Sequence, residues 1–278
     1  MPAPALRVAL FLGAYLLILL AASVPKGMAP PRYADLVWGA VASFALLALT
    51  RAVLSREQRS RREVGLAPDA RTIGRLLGGA AIGLVVYGAT MVLISLTLGP
   101  IQLSAPHWPT AATWAVILVS YLALSSMEEL GFRGYALRTL TSAIGVWPAQ
   151  LGIALAFGAS HLLFGWAWPT IVLGVIPSAL LFGVVALRSG GLAMPIGLHA
   201  ALNLAQWMVG EKDTAGIWTL AVEPAHTARL ATYAPFVGMG VTLLTAILIA
   251  RWPARVHAAG GAGRAPRSSI PLRTNERA

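Results

Sequence analysis

The feature that most restricts this chain is a succession of apolar runs, each close to 20 residues long, separated by short breaks of Pro, Gly or charge. A bilayer core of about 30 Å is crossed by about 20 apolar residues in a helix. Run length and flanking residues predict apolar helices at about 7–24, 35–50, 73–98, 113–130, 148–165, 169–187, 191–209 and 233–250. The expected fold is therefore all-α, a polytopic transmembrane helix bundle of about eight spans. Composition agrees, since only 11% of residues are charged, against about 25% in a soluble domain. The first run is about 18 residues long and ends in Val24-Pro25-Lys26, a poor small-residue cleavage site, so it is read as a helix and not as a signal peptide.

The net charge of +11 would suggest nucleic acid in a soluble protein. Here its placement is topological, and nucleic acid is not expected as a partner. With both termini on one side, 17 of the 21 basic residues fall in segments on that side, seven of them between 51 and 75 and six from Arg251 onward. Lys and Arg mark the cytoplasmic face, so both termini are expected there. The segment 51–71 is read as a surface helix plus linker on that face, residues 1–257 as the transmembrane catalytic bundle and residues 258–278 as a disordered cytoplasmic tail. In the third span Gly74 and Gly78, and Gly79 and Gly83, stand four apart with Gly88 beyond, a spacing that lets a neighbouring helix come close. The chain contains no cysteine, which excludes disulfides, cysteine nucleophiles and thiolate metal sites.

Charge inside a bilayer costs at least ~2.5–3.5 kcal/mol per residue, which makes ionisable residues within spans functional candidates. Of ten acids only Glu128 and Glu129 fall in or at the end of an apolar run; of five histidines only His161 and His199 do, and of two asparagines only Asn203. All lie between residues 128 and 203. Glu129 and Arg133 are four apart, on one helix face and at ion-pair reach if the helix continues past Gly131. Glu128 is rotated by about 100° toward another neighbour. His161 follows Phe157 by one turn, and Asn203 follows His199 by one turn, with small residues between.

A carboxylate and an imidazole from different helices can bind and deprotonate a water, while a second imidazole and an amide can donate hydrogen bonds to an oxyanion. That set suits amide hydrolysis. Glu128, His161 and His199 would equally serve as ligands of a catalytic zinc, although no His-Glu-x-x-His helix is present. Ser125, Ser126 and Ser160 lie near the site, but no Gly-x-Ser-x-Gly turn accompanies them. Taken separately, each polar group could instead be an interhelical hydrogen bond or the snorkelling end of a helix.

Together, Glu-Glu-x-x-x-Arg at 128–133, Phe-x-x-x-His at 157–161 and His-x-x-x-Asn at 199–203 resemble the CPBP family, the CAAX proteases and bacteriocin-processing enzymes also called Abi. The resemblance covers about 76 residues and all three motifs match. It implies an intramembrane endopeptidase related to the type II CAAX prenyl endopeptidase, in which Glu128 and His161 activate water, His199 and Asn203 stabilise the oxyanion, and Glu129 and Arg133 support the site. It implies either a metalloprotease, with zinc as the cofactor, or a metal-independent glutamate protease. Ala, Gly and Arg richness points to a GC-rich bacterial source and hence to a plasma-membrane location. The expected substrate is a membrane-associated peptide or protein in the lipid bilayer, not a prenylated one. Two other readings compete, a non-catalytic immunity or scaffold protein of the same fold and a proton-coupled transporter. The absence of an internal repeat speaks against the transporter.

Overall fold

A computed structural model of the chain describes residues 3–212 and 216–251. The chain runs as α1 (Pro4–Met28), α2 (Ala34–Glu57), α3 (Thr72–Thr97), α4 (Ala111–Glu129), α5 (Leu137–Ile144), α6 (Val146–Leu163), α7 (Trp168–Ser189), α8 (Ala193–Met208) and α9 (Pro224–Ala250). A two-stranded antiparallel ribbon, β1 (Ile101–Leu103) with β2 (Leu220–Val222), pairs the segments that follow α3 and precede α9. Seven helical segments among the described residues are long and apolar enough to cross a membrane, α4 and α5 counting as one. The span expected at 191–209 is the exception. Its helix α8 has 16 residues, a rise of about 24 Å, and is enclosed by protein. Leu198, His199, Ala200 and Ala201 are all buried, so its length need not match the bilayer.

Glycine explains how α8 is taken into the core. A Cβ on Gly79 would overlap the Met194 carbonyl, one on Gly83 the Leu198 carbonyl, and one on Gly197 the Leu76 carbonyl, so α3 and α8 meet backbone to backbone. Gly74 and Gly88 have open space around the same point. The small-residue stripe of the third span thus serves packing within the chain.

Both ends of the bundle are tied. At one end Arg7 pairs with Glu57 at 2.8 Å, Glu57 also accepts from Arg59 and Tyr135, Arg138 donates to the Ala186 carbonyl, and the Leu192 amide donates to the Gly65 carbonyl. At the other, Lys26 pairs with Asp35 at 2.9 Å and Arg229 donates to the Thr97 carbonyl. The arginine-rich segment 51–75 and the turn after α7 therefore share one end. The expected surface helix within 51–71 is not formed: residues 51–57 are the last two turns of α2, and 58–71 are turns held by Arg59 on Glu63 and by Asp69 on Arg75. The backbone N–H of Ser60 and the Arg59 guanidinium hold the Glu63 carboxyl below its ordinary range, and the Arg71 amide does the same for Asp69. The tail expected at 258–278 lies outside the described residues.

Two π-helical turns interrupt the bundle, Leu130–Ala136 after α4 and Ile171–Val175 within α7. In the second, Pro177 lacks the N–H that would bond one turn back, and the wider turn accommodates it. In the first, Gly134 leaves helical geometry at ψ −106° and turns the chain into α5. Turns of this kind concentrate at functional sites.

Candidate active site

α4 ends on Glu128 and Glu129 just before its π turn, which carries Arg133 into the core. Neither Glu129 nor Arg133 has any exposed side-chain surface. The Arg133 Nη1 donates to Glu129 Oε1 at 3.3 Å, Nη2 donates to the Ala179 carbonyl of α7 at 3.3 Å, and the guanidinium carbon lies 4.3 Å from the centre of the Phe157 ring. Phe132 and Phe182 complete the apolar enclosure. The helix does continue past Gly131, whose missing side chain admits the Tyr15 ring from α1. A buried cation is thus held by one carboxylate, one carbonyl and three aromatic faces.

Glu129 Oε1 also receives His199 Nδ1 from α8 at 3.0 Å. A carboxylate only accepts, so Nδ1 carries the hydrogen and Nε2 is directed elsewhere. Nε2 stands 3.6 Å from Glu128 Oε2, and Phe182 stacks on the ring at 4.4 Å and 20°. The Glu128 side chain is 20% exposed, and its Oε2 has no hydrogen-bond partner in protein. Glu129 Oε2 lacks a partner as well, and the two adjacent carboxylates differ in exposure: Glu129 is sealed with its Oε1 doubly engaged, whereas the Glu128 side chain is partly exposed.

His161 is fixed in the same way from α6. Its Nδ1 faces the Phe157 carbonyl at 2.9 Å, which makes Nδ1 the donor and leaves Nε2 as an acceptor, and its ring packs between Phe157 and Trp166. His161, His199 and Asn203 line one cavity of about 650 Å³, bounded by α3, α6, α7, α8 and α9. Glu128 stands beside this wall and meets it at His199. On α8, Asn203 Oδ1 accepts from Lys212 Nζ at 3.0 Å, which leaves its NH₂ group as the free donor. Burial pushes the neighbouring Glu211 carboxyl up, opposed by Tyr87 and Lys212.

Glu128, His161 and His199 do not form a metal-binding group. Among the described residues no three His, Asp or Glu side chains are gathered closely enough to share an ion.

Residues 109–205 match a family model described as type II CAAX prenyl endopeptidase Rce1-like. Over this segment the chain is similar to the Rce1-like family. The segment contains Glu128, Glu129, Arg133, His161, His199 and Asn203. No curated protein matches the chain. Two further side chains that line the cavity, Phe182 and Lys212, were not singled out by sequence reasoning. Phe182 is one aromatic residue among many in apolar helices, and nothing in a single sequence aims it at His199. Lys212 carries a faint signal, a lone cation just beyond the helix that bears Asn203.

Proposed function

We propose that the chain is an intramembrane endopeptidase that hydrolyses a peptide bond of a membrane-associated peptide or protein, with Glu128 as the base that activates water. The observation that carries this reading is the pairing at His199, where a sealed carboxylate locks the imidazole and a second, partly exposed carboxylate stands 3.6 Å away beside the cavity. A general base must reach the proton it takes directly or through one water.

In the proposed reaction a water beside Glu128 gives one proton to its carboxylate and adds through oxygen to the substrate carbonyl carbon. His161 Nε2 accepts the second hydrogen of that water and orients it. The carbonyl oxygen becomes an oxyanion, stabilised by the Asn203 amide NH₂, while His199 holds its place beside Glu128. The C–N bond then breaks and the proton held by Glu128 passes to the amine nitrogen. Glu129 and Arg133 orient His199, and Lys212 orients Asn203. The arginine-rich end faces the cytoplasm of a bacterial cell by the charge asymmetry of the chain.

The test is incubation of the purified, reconstituted protein with membrane-associated peptides and mass spectrometry of the products. Cleavage at an internal peptide bond is expected, and Asn203→Ala lowers kcat by ~10²–10³ with little change in KM, the usual cost of one oxyanion donor. Equal turnover by Asn203→Ala and wild type would remove Asn203 from the mechanism. A folded protein that cleaves none of the peptides would favour a scaffold.

A further inference from the structure

The cavity beside Glu128 has its mouth and its floor at opposite ends of the bundle. The mouth is lined by Trp166 and Thr170, from the connection of α6 to α7, and by Glu211 and Lys212, which follow α8. Contacts of neighbouring residues place both connections. Phe164 meets Trp38 edge-on at 5.8 Å, and Trp38 lies beneath the ammonium of Lys26, the partner of Asp35. The Met208 carbonyl at the end of α8 accepts the amides of Ile217 and Trp218, which lead into the β1–β2 ribbon, and Arg229 holds the Thr97 carbonyl on the same side. The mouth is therefore at the Lys26–Asp35 end, opposite the arginine-rich end.

The floor is an apolar layer. Phe182, His199 and Thr242 line the deep end of the cavity. Next to them, toward the arginine-rich end, Val185, Leu198 and Ala246 pack with Leu181 in one buried cluster. Beyond it the helix ends are tied by Arg138 on the Ala186 carbonyl and Arg188 on the Ala250 carbonyl. Ionisable groups at membrane depth face water-filled space, and hydrolysis consumes water, so water and peptide enter through the mouth and not through this layer. The segments at the mouth end hold Lys26, Arg32, Lys212 and Arg229, four of the 21 basic residues, and Lys and Arg enrichment marks the cytoplasmic face. We propose that the mouth opens on the extracytoplasmic face and that the substrate is an extracytoplasmic segment of an exported, membrane-associated protein. The substrate rests on the hydrolytic reading above, whereas the direction of the mouth does not.

The chain has no cysteine, so single cysteines report the two ends. Thr170 is exposed at the mouth and Ser60 is exposed at the arginine-rich end. In intact cells expressing the full chain, a membrane-impermeant maleimide is expected to modify Thr170→Cys and to reach Ser60→Cys only after lysis. Any other pattern of labelling overturns the extracytoplasmic mouth. A long polyethylene glycol maleimide tests the route: on purified Thr170→Cys it is expected to stop cleavage of a membrane-associated peptide, and on Ser60→Cys to leave cleavage at the unmodified rate. Cleavage that continues in modified Thr170→Cys overturns entry through the mouth. If labelling falls as expected but the unmodified protein cleaves no peptide, the hydrolytic reading fails and the substrate with it, while the mouth keeps its place.

Discussion

Glu129 and Arg133 lie 3.3 Å apart with neither side chain exposed, so the loss of one partner strands the other in an apolar enclosure. Glu129→Leu is expected to destabilise the protein by about 3–5 kcal/mol, whereas Glu129→Leu combined with Arg133→Met restores much of that loss, because a buried pair replaced by apolar groups leaves no charge unpaired. Thermal unfolding in detergent measures both; a double variant no more stable than the single one would contradict the account. Lys212 acts one step further from the chemistry. If it sets the Asn203 amide, Lys212→Met lowers kcat with KM nearly unchanged and Lys212→Arg recovers most of the rate; a change confined to KM would instead place Lys212 on the substrate. The Glu129–Arg133 contact was readable from a four-residue spacing, since both ends are on one helix face. The contact from Glu129 to His199 joins residues 70 positions apart and depends on how α4 and α8 cross, which no local spacing encodes. The approach of His199 to Glu128 at 3.6 Å joins the same two helices and was unreadable for the same reason.

At the scale of elements the approach of α3 to α8 carries the site, because α8 bears both His199 and Asn203. Gly79→Ala is expected to lower stability by roughly 1–3 kcal/mol, typical of overpacking, since its Cβ would meet backbone that cannot turn aside. Gly88→Ala has open space and should be neutral or raise stability by up to ~1 kcal/mol through helix propensity. Denaturation of the two variants in mixed micelles separates these outcomes; equal stability would mean that the helices do not meet at Gly79. The stripe of glycines was visible in the sequence, but which of them touch a neighbour depends on the rotation of α3. The two π turns were not visible, because Leu130–Ala136 and Ile171–Val175 keep an apolar pattern that suits an α-helix equally well. Residues 51–57 show the opposite failure: their arginines suggested a separate surface helix, yet Arg51 and Arg56 sit on the last turns of α2, where long basic side chains reach the headgroup region.

At the scale of the whole molecule the number and order of helices followed from the length of the apolar runs, a constraint imposed by the bilayer and not by any neighbour in the fold. Sidedness follows from the same reasoning. Reporters inserted at residue 60 and fused after residue 251 are expected on the same, cytoplasmic face, and signals from opposite faces would contradict both the helix count and the contacts that bring Gly65, the end of α7 and the end of α9 to one end of the bundle. The central claim is that this bundle exists to hold a partly open carboxylate beside a cavity in which a peptide bond is attacked by water. Glu128→Gln keeps the shape of the side chain and removes its capacity to take a proton, a function worth typically 10²–10⁴-fold in rate. Cleavage of a reconstituted membrane peptide by wild type and by Glu128→Gln, compared at matched unfolding temperatures, is the direct measurement: loss of turnover by that factor or more is predicted, and a Glu128→Gln protein that cleaves as fast as wild type would show that the base lies elsewhere.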